Sequence, residues 1–362
     1  TNVKICIVGL PRSGKSSLFS ALTGASPETS ASKGTDPIAV VKIPDPRLEK
    51  LAGIFEPKKK TAAAIEFVEL QGISTGDPKQ ATFSEQFLGK LRTADALLAV
   101  VRSFRDPSVP HPLDTVDPQR DLAALETEFL LSDLGIVESR IDRLRKQIAA
   151  KKSDRDVREL AALEKCKAAL DSETPLRRID LSEDEETLLR GFRFLTRKPF
   201  IAVVNLDEDE IRREAEVLSP FADRASEARS AAVGLCARLE SEIRQLPDQD
   251  APQFRSDFGI GTSALDRLIA TAYRMMGLIS FFTVGSDEVK AWTVSDGTVA
   301  TRAAGTIHSD IERGFIRAEV VSYEHFVVRG DIAGCRTDGT LRLEGKTYPV
   351  RDGDIINFRF AV

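Results

Sequence analysis

The chain has 362 residues, 42% of them hydrophobic and 30% charged, a composition that predicts a soluble globular protein of two or three domains. Its formal net charge of −5 excludes a polycation, so any nucleic-acid contact must come from a local basic patch. No apolar run approaches the ~20 residues of a membrane span, so we expect no membrane partner. We also expect no sequence-specific DNA readout.

The cysteines and the first residues predict the compartment. The four cysteines are far apart and lack metal-ligand spacing, which predicts reduced thiols in a cytoplasmic protein. The first residues pass directly into a strand pattern, without the basic and apolar regions of a signal peptide. We therefore expect no targeting segment.

The segment Gly9–Ser16 fits G-x-x-x-x-G-K-[ST], the phosphate-binding P-loop. A strand-type apolar run precedes it, and apolar residues at helical spacing follow it. In this arrangement backbone N–H groups surround the phosphates, and the helix N-terminus adds positive potential. Lys15 is the predicted catalytic residue at the β- and γ-phosphates, and the Ser16 hydroxyl is a predicted Mg²⁺ ligand. The predicted nucleotide contacts of the loop are Pro11, Arg12, Ser13, Gly14, Lys15, Ser16 and Ser17.

The Ser- and Thr-rich stretch Ala25–Asp36 lies where switch I is found in GTPase-like folds. Thr35, with Thr29 behind it, is the candidate for completing the Mg²⁺ shell. A mobile loop that carries no ligand is an equally good interpretation of this stretch.

The strand-type run that begins at Ala64 ends in Glu69-x-x-Gly72, where nucleotide switches normally carry Asp-x-x-Gly. The Glu69 carboxylate lies one methylene further out, so we predict a shifted or water-relayed contact with Mg²⁺. The Gly72 N–H is predicted to contact the γ-phosphate. Ile73 stands where a water-orienting Gln might be, so hydrolysis either uses another group or is slow.

A buried strand pattern at residues 198–205 ends in Asn205-Leu206-Asp207-Glu208, where a guanine-specific fold has Asn-Lys-x-Asp. The longer Glu208 and the apolar Leu206 weaken that clamp and relax selectivity against adenine. A one-residue shift would let Asp207 replace the missing clamp. The next strand pattern, at 231–237, is expected to bring backbone N–H groups to the base. The predicted base contacts are Asn205, Leu206, Glu208, Cys236 and Ala237.

From Asp121 the apolar residues follow helical spacing, with a break at residues 151–154 and a second helical run after it. This pattern predicts an antiparallel helical hairpin inserted into the nucleotide domain. Between Arg140 and Arg158 there are eight basic and three acidic residues. The distal end could dock on RNA phosphates, and a solvated, charged coiled coil is the alternative. In the loop before the hairpin, His111 is expected at the surface.

The C-terminal part, from Leu278, reads as a separate module of strands and turns. Its simplest interpretation is a small twisted sheet with one helix at residues 309–314.

These segments together resemble the YchF subfamily of Obg-like P-loop NTPases, and the resemblance covers nearly the full chain. The matching runs are Gly9-Leu10-Pro11 with Gly14-Lys15-Ser16, Pro44-Asp45-Pro46-Arg47-Leu48, Glu66-Phe67-Val68, Gln86-Phe87-Leu88, Leu163-Glu164-Lys165-Cys166, Phe194-Leu195-Thr196 with Lys198-Pro199, Asn205 with Glu208, Lys290-Ala291-Trp292-Thr293, Ala304-Gly305-x-Ile307-His308, Gly314-Phe315-Ile316-Arg317-Ala318 and Asp352-Gly353-Asp354. The chain departs from the family pattern at Arg12-Ser13, in the short switch I stretch and at Glu69, all of them near the γ-phosphate and Mg²⁺.

The resemblance implies an α/β fold with a P-loop GTPase-like, doubly wound sheet, an inserted coiled-coil hairpin and a C-terminal TGS domain of β-grasp type. The implied boundaries are 1–118 with 175–277 for the nucleotide domain, 119–174 for the hairpin and 278–362 for the TGS domain. It also implies that ATP is accepted at least as well as GTP, and that the protein associates with ribosomes or RNA through the hairpin and the TGS domain.

Three functions remain open from the sequence. The first is a slow, Mg²⁺-dependent ATPase that acts as a switch on the ribosome. The second is a module that holds nucleotide, hydrolyses little and docks on RNA or protein. The third is a GTPase switch, against which Asn205 and Glu208 argue.

Overall fold

The computed structural model describes residues 3–24, 36–70, 83–151, 153–223, 229–247, 249–258 and 263–361. By contacts the chain divides into two compact units, Thr1–Val40 with Glu66–Leu268, and Val41–Ile65 with Ile269–Val362. Among the described residues, no helix combines the length and apolar character needed to cross a membrane.

The first seven strands are β1 (Lys4–Val8), β2 (Ile38–Lys42), β3 (Lys59–Thr61), β4 (Ala64–Glu69), β5 (Ala96–Arg102), β6 (Phe200–Asn205) and β7 (Ser230–Leu235). Six of them form one sheet in the order β2-β4-β1-β5-β6-β7, and β4, β1, β5, β6 and β7 run parallel. Every residue of β5 and β6 is buried, as expected for central strands that are covered on both faces. The P-loop follows the carboxyl end of β1, and the segment after Asn205 follows the carboxyl end of β6.

The described helices up to residue 275 are α1 (Lys15–Thr23), α2 (Pro46–Phe55), α3 (Glu85–Arg92), α4 (Pro118–Ala150), α5 (Asp154–Asp171), α6 (Glu183–Leu189), α7 (Glu214–Leu218), α8 (Ala237–Gln245), α9 (Ala251–Asp257) and α10 (Ala264–Met275). Single 3-10 turns, including Leu195–Arg197 and Glu208–Arg213, join several of them.

Helices α4 and α5 form the predicted hairpin. The Asp117 side chain caps α4 by accepting from Arg120 N–H, and α4 ends at Ala150, within one residue of the predicted break. Val137, Ile141 and Leu144 of α4 pack with apolar residues of α5 in one buried cluster. Across the pair, Arg140 donates to Glu159 (2.7 Å).

The second unit contains a six-stranded sheet in the order β11-β10-β12-β8-β9-β3. Its later strands are β8 (Leu278–Thr283), β9 (Glu288–Ser295), β10 (Phe315–Ser322), β11 (Arg342–Glu344) and β12 (Asp354–Phe360). The edge strand β3 comes from far earlier in the chain and pairs in parallel with β9, so that Lys59 lies opposite Glu288. The division of the chain into three domains, with the boundaries given above, remains a prediction.

The expectation of one helix in the C-terminal module was wrong. The structure has four helices there, α11 (Ala300–Ile307), α12 (Ser309–Arg313), α13 (Tyr323–Arg329) and α14 (Ile332–Thr337). Each is at most eight residues long, so its apolar periodicity is too brief to detect. The N-caps of α13 and α14 carry the signal that was missed, since Ser322 accepts from His325 N–H and Asp331 accepts from Gly334 N–H.

Asp133 joins α4 to the nucleotide domain. Its fully buried carboxylate accepts from Arg92 Nη1 (2.8 Å), from the N–H of Leu195 (3.1 Å) and from both the N–H and the hydroxyl of Thr196 (2.8 Å each). The carboxylate therefore fixes the base of the hairpin against α3 and the turn before β6 by four hydrogen bonds.

We expect Asp133→Asn to lower the free energy of unfolding by about 3 kcal/mol. The amide NH₂ would face N–H donors, and the half-buried Arg92, whose side chain is 15% exposed, would lose its counter-charge. Urea unfolding followed by circular dichroism measures this loss. Asp142→Asn, which removes the same charge from the exposed face of α4, should change it by less than ~0.5 kcal/mol. Equal losses in the two variants would contradict this role.

Candidate functional site

The P-loop lies between β1 and α1, as the sequence predicts. Gly14 precedes the helix in a left-handed conformation, with φ at 95°, and a Cβ there would overlap Asn205 Nδ2. Glycine is thus required both by the backbone and by the close approach of a neighbouring side chain. Arg12 also has a positive φ (64°), and its Nη1 donates to the carbonyl of Pro110 (2.9 Å).

Lys15 opens α1 and turns its ammonium back over the loop. Nζ donates to the carbonyls of Gly9 (3.0 Å) and Leu10 (2.9 Å). Desolvation lowers the pKa of Lys15 to about 8, and the nearby carboxylate of Glu69 opposes that shift. The site therefore holds a cation whose charge is incompletely compensated.

Ser16 and Glu69 meet directly. The Ser16 hydroxyl donates to Glu69 Oε1 at 2.5 Å, and Glu69 is buried at the end of β4. The longer carboxylate thus reaches the P-loop serine. Two oxygens so placed fit Mg²⁺, which prefers oxygen ligands and commonly takes one or two from the protein and the rest from phosphate and water. The described residues contain no group of three or more His, Cys, Asp or Glu side chains that could bind a metal without such help.

A cavity of ≈ 790 Å³ opens at the carboxyl ends of β1 and β6. The predicted residues that line it are Arg12, Gly14, Lys15, Ser16, Ser17, Asn205, Leu206, Glu208 and Cys236. Four others, Pro11, Ser13, Glu69 and Ala237, lie outside its lining. Thr35, Gly72 and Ile73 fall outside the described residues. The structure thus brings the P-loop and the predicted base segment to one cavity.

Asn205 connects these two segments. Its Nδ2 donates to the Ser13 carbonyl (3.1 Å), and its Oδ1 accepts from Ala237 N–H (3.0 Å). The residue is buried, and Leu206 N–H continues the sheet by donating to Leu235 O. One side-chain amide therefore ties the phosphate loop to the β7–α8 junction.

Asp207 and Glu208 have different surroundings. The Asp207 carboxylate accepts from the N–H of Arg105 (3.0 Å) and from that of Glu208 (2.8 Å). Glu208 lines the cavity, and its carboxylate lies 3.8 Å from Arg238 Nε with 40% of the side chain exposed. Glu208 can therefore face a base, whereas the Asp207 carboxylate is engaged by two backbone N–H groups.

Sequence reasoning missed one wall of the cavity. Phe104, Arg105, Asp106, Pro107 and Val109, in the loop after β5, line it. The buried guanidinium of Arg102 holds this loop by donating to the carbonyls of Phe104 (3.0 Å) and Val109 (2.8 Å). The position of this loop in the sequence could have indicated its role, because it follows the carboxyl end of a central parallel strand, where ligands commonly bind.

The expectation of a surface His111 was wrong. Its Nε2 lies 2.8 Å from Asp121 Oδ2, and Leu113 N–H donates to its Nδ1 (3.1 Å). Since Nδ1 accepts, Nε2 carries the proton and donates to the carboxylate. His111 thus anchors the end of the cavity loop to the start of α4.

Comparison with known proteins agrees with this geometry. The YchF-GTPase_C family model, described as "Protein of unknown function (DUF933)", matches residues 278–361, and a "50S ribosome-binding GTPase" model matches 4–131. The Bacillus subtilis protein named ribosome-binding ATPase YchF is 41% identical over 98% of both chains. Its Escherichia coli O157:H7 namesake is 38% identical over 99% of both.

A solved structure shows the same relationship. The Schizosaccharomyces pombe YchF GTPase superposes with a TM-score of 0.88 at 30% identity, covering 99% of this chain and 98% of its own. Sequence and structure agree over the nucleotide domain, the hairpin and the C-terminal module. The chain belongs to the YchF family.

Proposed function

We propose that this chain binds ATP with Mg²⁺ at the P-loop, hydrolyses it slowly and acts as a switch on the ribosome. One observation carries the proposal: Lys15, Ser16 and Glu208 line the same cavity of ≈ 790 Å³. A cavity of this size accommodates a nucleotide. It offers groups for the phosphates and for the base together.

The phosphate contacts are supported by charge. Lys15 lies at the N-terminus of α1, where the backbone adds positive potential. Its ammonium contacts two neutral carbonyls, so phosphate oxygens would supply the negative charge it lacks. Ser16 and Glu69 would hold Mg²⁺, which would neutralise charge developing on the phosphates. Thr35 and Gly72 stay predicted members of this set.

The base contacts favour adenine. Guanine has N1–H and N2–H donors, which a buried site must pair. Asp207 already accepts two backbone N–H groups, and Glu208, which is longer than the Asp of a guanine clamp, weakens the contact that would pair both donors. Adenine lacks these donors and suffers less in a cavity lined by Leu206. ATP should therefore bind at least as well as GTP.

Slow hydrolysis is expected from the sequence, in which Ile73 stands at the position of a water-orienting Gln. The aliphatic side chain of Ile73 cannot orient water or accept its proton. The second candidate function, a nucleotide-holding module with little turnover, is favoured by the same residue. A GTPase switch is the third, and the engaged Asp207 argues against it.

Association with the ribosome is supported by the names of the relatives and by the hairpin tip. Arg143, Lys146 and Lys151 are exposed near the end of α4, whereas Arg140 is paired with Glu159. Exposed cations at the end of a long hairpin suit RNA phosphates. We propose that this tip and the C-terminal TGS domain contact ribosomal RNA or protein.

Steady-state phosphate release with Mg²⁺, with and without ribosomes, tests the proposal. We expect turnover below ~1 s⁻¹, the lower end of ordinary enzyme rates, and a rise when ribosomes are added. Lys15→Ala should abolish both nucleotide binding and turnover while leaving the circular dichroism spectrum unchanged. Tight ATP binding without Lys15-dependent turnover would favour the nucleotide-holding module instead.

ATP binding should take up a proton near pH 8. The pKa of Lys15 is lowered to about 8, and bound phosphate stabilises the charged form, so a neutral fraction must protonate on binding. Above pH 8 the affinity should fall by up to about tenfold per pH unit. Calorimetry at pH 8.5 in two buffers of different ionisation enthalpy measures the uptake. Lys15→Arg, which stays charged, should remove it, and equal heats in both buffers for the parent chain would contradict the assignment.

ATP should displace a fluorescent ATP analogue at least as well as GTP does. Asp207→Asn should weaken the two nucleotides by the same factor, because Asp207 holds the Arg105 loop and not the base. Competition titrations on both chains provide the measurement. If GTP displaces the analogue tenfold better than ATP, and Asp207→Asn removes that preference, Asp207 is the guanine clamp and the adenine interpretation fails.

A further inference from the structure

A second cavity, of ≈ 540 Å³, lies at the opposite edge of the parallel sheet. Lys4 of β1 and Asp95 before β5 line it, as do Lys198 before β6 and Arg229 before β7. All of these positions are at the amino ends of their strands, whereas the P-loop follows a carboxyl end. The segment 176–197, between the hairpin and β6, forms the other wall.

The cavity is strongly basic in a chain whose net charge is −5. Seven cations line it, against the three carboxylates of Glu66, Asp95 and Glu186. The seven are Lys4, Arg92, Arg190, Arg193, Arg197, Lys198 and Arg229. Such an excess of positive charge in a concave site attracts anions.

Several of these cations have no hydrogen-bonded counter-charge. Among the described residues, Lys198 Nζ donates to carbonyl oxygens only, those of Arg92 (3.1 Å) and Ala94 (2.5 Å). Desolvation lowers the pKa of Lys198 to about 8, the carboxylate of Asp95 opposes that shift, and the positive charge of Arg193 adds to it. In the part of the chain that the structure describes, no hydrogen bond or salt bridge reaches the guanidinium of Arg193, Arg190 or Arg229.

Arg197 adds a buried donor without an acceptor. Its Nη1 donates to the carbonyl of Ile179 (2.7 Å), and its Nη2 pairs with Glu186, but its Nε–H is buried with no partner among the described residues. Buried polar groups are normally paired, so this donor behind the cavity wall is left incompletely satisfied.

Two of the arginines are held in an unusual backbone conformation. Arg193 and Arg229 have φ of 50° and 62°, the left-handed region that non-glycine residues seldom adopt. Strain of this kind persists where the surroundings enforce it and is common at binding sites. Here it occurs on both sides of the same cavity.

The remaining wall is apolar. Leu181 is half-buried at its surface beside the charged groups, and Leu176, Leu189 and Phe194 are buried behind it. A ligand that matches both surfaces must join an anion to an apolar or aromatic group. The volume is that of sites for small molecules, typically 300–1,000 Å³.

We propose that this cavity binds a small phosphorylated ligand that carries an apolar or aromatic group, at a site separate from the P-loop. Arg193, Arg229 and Lys198 contact the phosphate, and Leu181 contacts the apolar group. A nucleic-acid strand fits less well, since it requires an extended groove that follows many phosphates.

The test uses the full chain carrying Lys15→Ala, so that the P-loop does not take up the probe. Calorimetric titration with 1-naphthyl phosphate should show one site, and inorganic phosphate should bind at least threefold more weakly because it leaves the apolar wall uncovered. Adding Arg193→Gln with Arg229→Gln should weaken 1-naphthyl phosphate at least tenfold. The matched control, Arg212→Gln with Arg213→Gln, removes the same charge from exposed positions of the segment Glu208–Arg213 and should change affinity less than twofold.

Three outcomes would overturn the proposal. Binding that survives Arg193→Gln with Arg229→Gln would place the probe elsewhere, including at the P-loop, and would leave the proposed ATP site to its own tests. Binding weakened equally by the control pair would be a general charge effect. A 12-nucleotide single-stranded RNA that binds the parent but not the cavity variant, while 1-naphthyl phosphate does not bind, would assign the surface to RNA.

If the double variant loses its circular dichroism spectrum, the single substitution Arg190→Gln, at an exposed position, provides the same test. It should weaken 1-naphthyl phosphate about threefold.

Discussion

The side-chain amide of Asn205 is the contact on which the nucleotide cavity depends. It donates to a carbonyl 192 residues away and accepts from an N–H 32 residues away, so it fixes two loops that the sheet alone leaves independent. The amide supplies a donor and an acceptor on one short planar group, whereas glutamine, which carries the same group, is longer. Because the amide is buried, both halves must be paired, and the geometry of the phosphate loop becomes coupled to that of the base segment.

The same unit has incompletely neutralised cations at both edges of its parallel sheet. At the carboxyl edge, Lys15 is desolvated over two carbonyls. At the amino edge, Lys198 is desolvated in the same way. Each arrangement costs stability in the free protein, and each is relieved by an anion. Residues that destabilise the free protein and are stabilised by a bound ligand are typical of ligand-binding sites. They are not typical of residues that serve only to pack the core.

Contiguous patterns were the most predictable features. The P-loop is eight consecutive residues that follow a strand pattern and lead into a helix. The break between α4 and α5 is visible because residues 151–154 interrupt the helical spacing of the apolar residues. The cavity wall formed by the loop after β5 depends on hydrogen bonds that Arg102 donates to backbone carbonyls, and no residue pattern indicates such bonds. Strand β3 has only three residues, two of them lysines, and it forms by pairing with a partner more than 200 residues later. The burial of His111 likewise depends on Asp121, which periodicity assigned only to the hairpin.

The placement of β3 bears on how the chain is made. Arg47 pairs with Asp352 across 305 residues, and Phe55 stacks on Phe326 at 5.4 Å. Translation at about 5–20 residues per second separates the synthesis of such partners by roughly 15–60 s. The segment 41–65 is therefore synthesised long before the rest of its sheet, whereas β1 and α1, which precede it in the chain, are followed much sooner by the strands of their own sheet. The second unit reaches its native contacts only after nearly the whole chain has been synthesised, and a fragment beginning at residue 278 lacks one edge of its sheet.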